Sequence, residues 1–106
     1  MITVERNMGS RAHTEAEFSG TREALLARAQ ESALRIHRSH HRTSTDEAVE
    51  VVVGMSLRSW GEVVRITAKE RGQVTLLHIE SRTRLAITLV DWGKNRRNVE
   101  TVLEGL

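Results

Sequence analysis

The stretch from Glu62 to Glu70 constrains this chain more than any other. Val64, Ile66 and Ala68 fall on one side of an extended backbone, and Arg65, Thr67 and Lys69 fall on the other. A period of two is the pattern of a half-buried strand. Arg71-Gly72 interrupts the run, and Val74, Thr75, Leu77 and Ile79 resume it with β-forming residues, so the segment predicts a β-hairpin. One face of the resulting sheet must be packed and the other solvated, which is the antiparallel arrangement. After a polar break at Glu80-Ser81-Arg82, Thr83 to Val90 predicts a further strand. Its odd positions (Leu85, Ile87, Leu89) and its even ones (Ala86, Thr88, Val90) are both largely apolar, as expected for a central strand. Trp92-Gly93 ends that run, and Val99, Val102, Leu103 and Leu106 then fall at i, i+3, i+4 and i+7, the spacing of one helical stripe.

The first half of the chain supplies the remaining elements. Ile2 to Glu5 and Ala12 to Phe18 can both be extended, with Gly9-Ser10 as a turn between them. Thr21 is placed to cap a helix with Glu23 in its first turn, and Leu26, Ala29, Ala33 and Ile36 give that helix one apolar face. The helix runs into a basic end, Arg35 to Arg42, and Val-rich Glu47 to Val53 predicts a buried strand before the connection Gly54 to Gly61. The expected fold is α+β, a curved antiparallel sheet in β-α-β-β-β-β-α order with both helices packed on one face.

A chain of 106 residues suits a single domain, 1–106, with residues 1–11 either disordered or an edge strand. Cysteine is absent, which excludes disulfides and thiolate metal sites. No apolar run approaches the roughly 20 residues of a membrane span, and Met1 to Ser10 lacks the apolar core of a signal peptide, so a cytoplasmic location is expected. The sequence pI of about 9.9 overstates the basic character, because net charge is only +2 and 14 of the 16 cations are Arg. So small an excess does not argue for nucleic acid.

Three groups of residues are candidates for a site. Lys94, Asn95, Arg96 and Arg97 crowd the start of the last helix, where the dipole favours negative charge; they suit an anion such as phosphate or carboxylate, with solvated surface cations as the bland alternative. Trp60 and Trp92, each followed by Gly, could form a ligand wall, although a Trp at a strand end more often caps a core. His37 and His41 are four apart, with His40 between them, and would share a helical face if the first helix reached that far; without a local carboxylate a solvated basic corner is the stronger reading, and no metal or cofactor is expected. Catalysis would need a nucleophile with its base or two close carboxylates, and no such arrangement is recognisable. His78, beside Leu76 and Leu77, reads as a partly buried, hydrogen-bonded histidine. Nucleic acid is disfavoured: Arg65, Lys69, Arg82 and Arg84 could line a sheet face, but one Phe, two Trp and no Tyr offer few stacking platforms. The favoured class is a non-catalytic binding or assembly module that recognises an anionic or apolar ligand or a protein partner, a second copy meeting it through an edge strand included. Weak, non-sequence-specific binding of nucleic acid or phosphate through Lys94, Arg96, Arg97 and the sheet-face arginines is the alternative.

The element order resembles folds of the TATA-binding-protein type and the helix-grip type, a likeness of topology that implies no function. At sequence level, Ser81-Arg82 followed by Asp91-Trp92-Gly93-Lys94-Asn95 and Asn98 resembles the end of a family of small uncharacterised bacterial proteins, over about a quarter of the chain. That resemblance implies a bacterial source and no known activity. Trp92→Ala is expected to cost about 3–5 kcal/mol, the range for truncating a core aromatic, and more than Ala at any cation from Lys94 to Arg97. Thermal melts of the variants check this, and equal, small changes would place Trp92 at the surface.

Overall fold

The computed structural model of the chain describes residues 5–7, 11–54, 61–83 and 94–106. Its elements are β1 (Glu5–Asn7), β2 (Arg11–Ser19), α1 (Arg22–Ala33), β3 (Ser39–Ser44), β4 (Ala48–Val53), β5 (Glu62–Arg71), β6 (Val74–Thr83) and α2 (Lys94–Glu104). The strands form one antiparallel sheet in the order β1-β2-β6-β5-β4-β3. Both helices lie against the same face and touch each other, α1 over β4 and β5, α2 over β2, β5 and β6. The expected α+β architecture and its β-α-β-β-β-β-α order are thus observed, with the short strand β1 preceding them at one edge of the sheet.

The strands that fill this order differ from those read in the sequence. The first helix stops at Ala33 and does not run into Arg35–Arg42. Arg38 turns the chain with φ of 64°, and Ser39–Ser44 returns as edge strand β3 against β4. This strand is polar along its length and shows no apolar alternation, because only its backbone is satisfied by the sheet. The polar break at Glu80-Ser81-Arg82 is likewise no break, since β6 runs unbroken from Val74 to Thr83 with Ser81 and Thr83 facing the helices. The strand read at Thr83–Val90 falls, beyond Thr83, outside the described residues.

Local chemistry accounts for the rest. The hairpin β5–β6 closes through Gly72, whose φ of 64° suits the residue without a Cβ, and pairs Arg71 with Val74. Thr21 caps α1 by accepting the Ala24 N–H at 3.1 Å, and the Thr75 hydroxyl donates to the Gly20 carbonyl at 2.8 Å, tying the helix start to the sheet. The core lies between helices and sheet: Leu25, Leu26, Ala29 and Ala33 of α1 and Val99 and Val102 of α2 meet Val49, Val51, Val53, Val64, Ile66, Ala68, Leu77 and Ile79. Where α2 ends, Gly105 sits on Ser32 of α1, so close that a Cβ added to Gly105 would lie 2.8 Å from the Ser32 Cβ and collide with its hydroxyl. That buried hydroxyl has no hydrogen-bond partner among the described residues.

Overpacking of this kind typically costs 1–3 kcal/mol, so Gly105→Ala is expected to lose about that much stability. Ser32→Ala, which deletes the unpartnered hydroxyl, should recover part of the loss in the double variant. Urea unfolding of the three proteins checks both expectations.

Candidate functional site: a buried polar cluster beneath the last helix

The inner face of the sheet changes character along its strands. Around the Ile66–Ile79 pair it is apolar, while at the end where β5 begins and β6 finishes it presents Glu62 opposite Thr83, with Ser81 next to them opposite Val64. All three are buried, Glu62 and Ser81 completely. The first turns of α2 cover this polar end. Asn95, Asn98, Val99 and Val102 occupy one helical stripe, so the face that presents valines to the core farther on presents two amides here.

The amides match the sheet group by group. Asn95 accepts from the Ser81 hydroxyl at 2.7 Å through its Oδ1 and donates to Thr83 Oγ1 at 3.1 Å through its Nδ2. Asn98 Nδ2 donates to Glu62 Oε1 and to Ser81 Oγ, each at 3.1 Å. Lys94 Nζ stands 3.3 Å from the same Glu62 oxygen, its side chain 23% exposed where that of Glu62 is 0% exposed. A carboxylate so placed would be strongly destabilising without a counter-charge and donors, and α2 supplies both.

The sequence-predicted anion site is therefore divided. Lys94 and Asn95 turn inward, to Glu62 and to the two hydroxyls, whereas Arg96 and Arg97 are exposed, with Arg96 3.9 Å from Glu100 one turn on. The Asn95 side chain reaches across to the sheet. Trp60 and Trp92, the expected ligand wall, lie outside the described residues. The histidine reading rested on a longer helix. Instead His37 lies in the turn after α1, while His40 and His41 are consecutive in β3 and point to opposite sides of the sheet. His41 Nε2 is bound to Ser44 Oγ at 2.7 Å, and among the described residues no three His, Asp or Glu side chains are grouped to hold a metal ion.

On the outer face of the sheet charges are matched in place. Arg65 and Arg42 approach Glu50 at 2.7 and 3.7 Å, and Arg11 approaches Glu80 at 3.0 Å. His78 is half-buried, its Nδ1 3.2 Å from Glu15 Oε1 and its ring stacked on His13 at 5.8 Å. This face is a lattice of both signs rather than a cationic strip. Among the described residues the only Phe, Trp or Tyr is Phe18, which packs on the core side.

The cluster was missed in the sequence although its signal is there. Extending the alternation of β5 backwards puts Glu62 in register with Val64 and Ile66, and extending that of β6 forwards puts Ser81 and Thr83 with Leu77 and Ile79. Polar residues at apolar-phase positions of two neighbouring strands and of the covering helix mark a buried network.

The fold is an open antiparallel sheet gripped on one face by two helices, and solved structures share it. CalU16 from Micromonospora echinospora superposes with a TM-score of 0.58 at 14% sequence identity, over 98% of this chain and 83% of that chain. Ms6760 from Mycobacterium smegmatis does so with a TM-score of 0.64 at 8% identity, over 99% of this chain and 94% of that chain. At these identities the likeness shows the fold alone. No protein-family model matches the chain, and no curated protein matches it in sequence. Among the described residues no helix is long and apolar enough to cross a membrane.

Removing Asn95 leaves the Ser81 hydroxyl without the oxygen it donates to and Thr83 Oγ1 without the Asn95 amide, so Asn95→Ala is expected to cost about 2–3 kcal/mol, while exposed Arg96→Ala should stay within about 0.5 kcal/mol of the parent. A Ser81→Ala and Asn95→Ala cycle should be non-additive by about 0.5 kcal/mol or more. Chemical denaturation of the single and double variants measures both.

Proposed function

We propose that this chain is a non-catalytic binding module whose recognition site is the mouth between the first turn of α2 and the polar end of the sheet, and that it takes a small anionic ligand there. The carrying observation is the convergence of Glu62, Ser81, Thr83, Lys94, Asn95 and Asn98 in one buried place inside an otherwise apolar core. Stability alone is served as well by apolar residues at such positions, so a buried ionic and amide cluster next to the surface is a functional candidate. The motif residues Ser81, Lys94, Asn95 and Asn98 meet in this cluster, which supports reading them as one unit.

The charge at the rim favours an anion. Lys94 reaches from Glu62 to the surface, Arg96 and Arg97 are exposed in the same turn, and the first turn of α2 contains no acidic residue. The chemistry inside favours holding over reacting: the Ser81 proton goes to an amide oxygen, which is no base, and the Glu62 oxygen is occupied by Lys94 and Asn98. Self-association through an edge strand has less support. β3 is bulged between His41 and Thr43 and polar throughout, and β1 is three residues long, both of which blunt an edge. The nucleic-acid alternative is weakened by the Glu50 partner of Arg65.

A ¹H–¹⁵N correlation spectrum titrated with inorganic phosphate, then with a short single-stranded oligonucleotide, tests the proposal. Saturating shifts confined to the amides of Lys94 to Asn98 in phosphate are expected. Shifts spread over Arg65, Lys69 and Arg82 that appear only with oligonucleotide and fade with salt would replace this reading by the nucleic-acid one. A spectrum unmoved in both titrations would overturn anion recognition in favour of an apolar ligand or a protein partner.

A further inference from the structure

Helix α2 is fastened by two unlike kinds of contact. From Val99 onward it is held by apolar burial and close packing: Val99 and Val102 are fully buried, Leu103 and Leu106 lie against the core, and Gly105 rests on Ser32. Arg28 adds a hydrogen bond to the Leu106 carbonyl at 3.2 Å. From Lys94 to Asn98 the inward-facing side chains meet, among the described residues, the polar groups of Glu62, Ser81 and Thr83 through hydrogen bonds and an ion pair. Water distinguishes the two. A hydrogen bond broken on opening is exchanged for one to solvent, and a separated ion pair regains its hydration, whereas exposed valine regains nothing.

We propose that Lys94–Asn98 is a latch that opens while Val99–Leu106 stays clamped, giving water access to Glu62 and uncovering the Ser81 and Thr83 hydroxyls as the floor of the binding site. Lys94 leads the opening, because its partly exposed ammonium already borders solvent while the carboxylate it holds does not. An incoming anion takes over the ammonium as the Glu62 carboxylate becomes hydrated, so entry of the ligand and release of the latch are one event. The use of the opening as an entrance rests on the binding reading above; the opening itself is a property of the free chain and is measured without ligand.

Native-state amide hydrogen exchange on the whole chain, followed by NMR, is the test. In α2 the amides of residues 98–101 bond to the carbonyls of residues 94–97 and report the latch, while those of 102–104 report the clamp. Ile66 and Leu77 report the sheet. The latch amides are expected to be protected at least roughly tenfold less than the clamp amides, and Glu62→Gln, which keeps the shape but removes the charge, should lower latch protection by roughly another tenfold with the clamp-to-sheet ratio unchanged. Lys94→Gln, at a partly exposed position, should give the same pattern even if the Glu62 variant folds poorly. One common protection level along α2, a gradient in which 102–104 exchange first, or a variant that lowers latch, clamp and sheet alike would overturn the latch.

Discussion

Everything at one end of this molecule depends on a carboxylate that has no access to water. Glu62 is the first residue of β5, its side chain is fully buried, and a carboxylate there requires donors and a counter-charge. α2 brings them, with the Lys94 ammonium and the Asn98 amide on the same oxygen. Docking of the last helix is thereby given an orientation. A purely apolar stripe could slide or rotate by a residue at small expense, but a stripe whose amides must meet a carboxylate and two hydroxyls fits in one register.

A cluster that fixes α2 in place also gathers charged and amide groups beside an exposed basic turn. The outer face of the sheet shows the contrary design, opposite charges paired across neighbouring strands.

Much of the fold was legible because its signals are local. Alternation through Val64, Ile66 and Ala68 gave β5 its inward face, Gly72 marked the hairpin, and Thr21 marked the start of α1. What was not legible depends on partners distant in sequence. β3 is a strand only because β4 supplies its hydrogen bonds, so Ser39–Ser44 read as a basic corner. Glu80–Arg82 read as a break because a serine facing a buried asparagine looks, in isolation, like a serine in a loop. The histidine grouping depended on a helix reaching His41, and a helix that ends at Ala33 puts His37 in the following turn and His41 in β3. The candidate site shows both limits: its cations and Asn95 are legible in the sequence, but the inward turn of Lys94 and Asn95 is set by Glu62, Ser81 and Thr83 on strands earlier in the chain.

The sheet order has a further consequence, for the path by which the chain reaches this state. β5 and β6 are joined by a two-residue turn and can pair as soon as they are extended, but β2 finds its partner in β6 through contacts such as Phe18 with Thr75 and Ala12 with Ser81. Closing so long a loop carries an entropic cost that short-range pairing avoids. By loop length alone, topology favours the β5–β6 hairpin as the template and β2 as the later arrival, because the N-terminal segment must find an edge that the C-terminal half supplies.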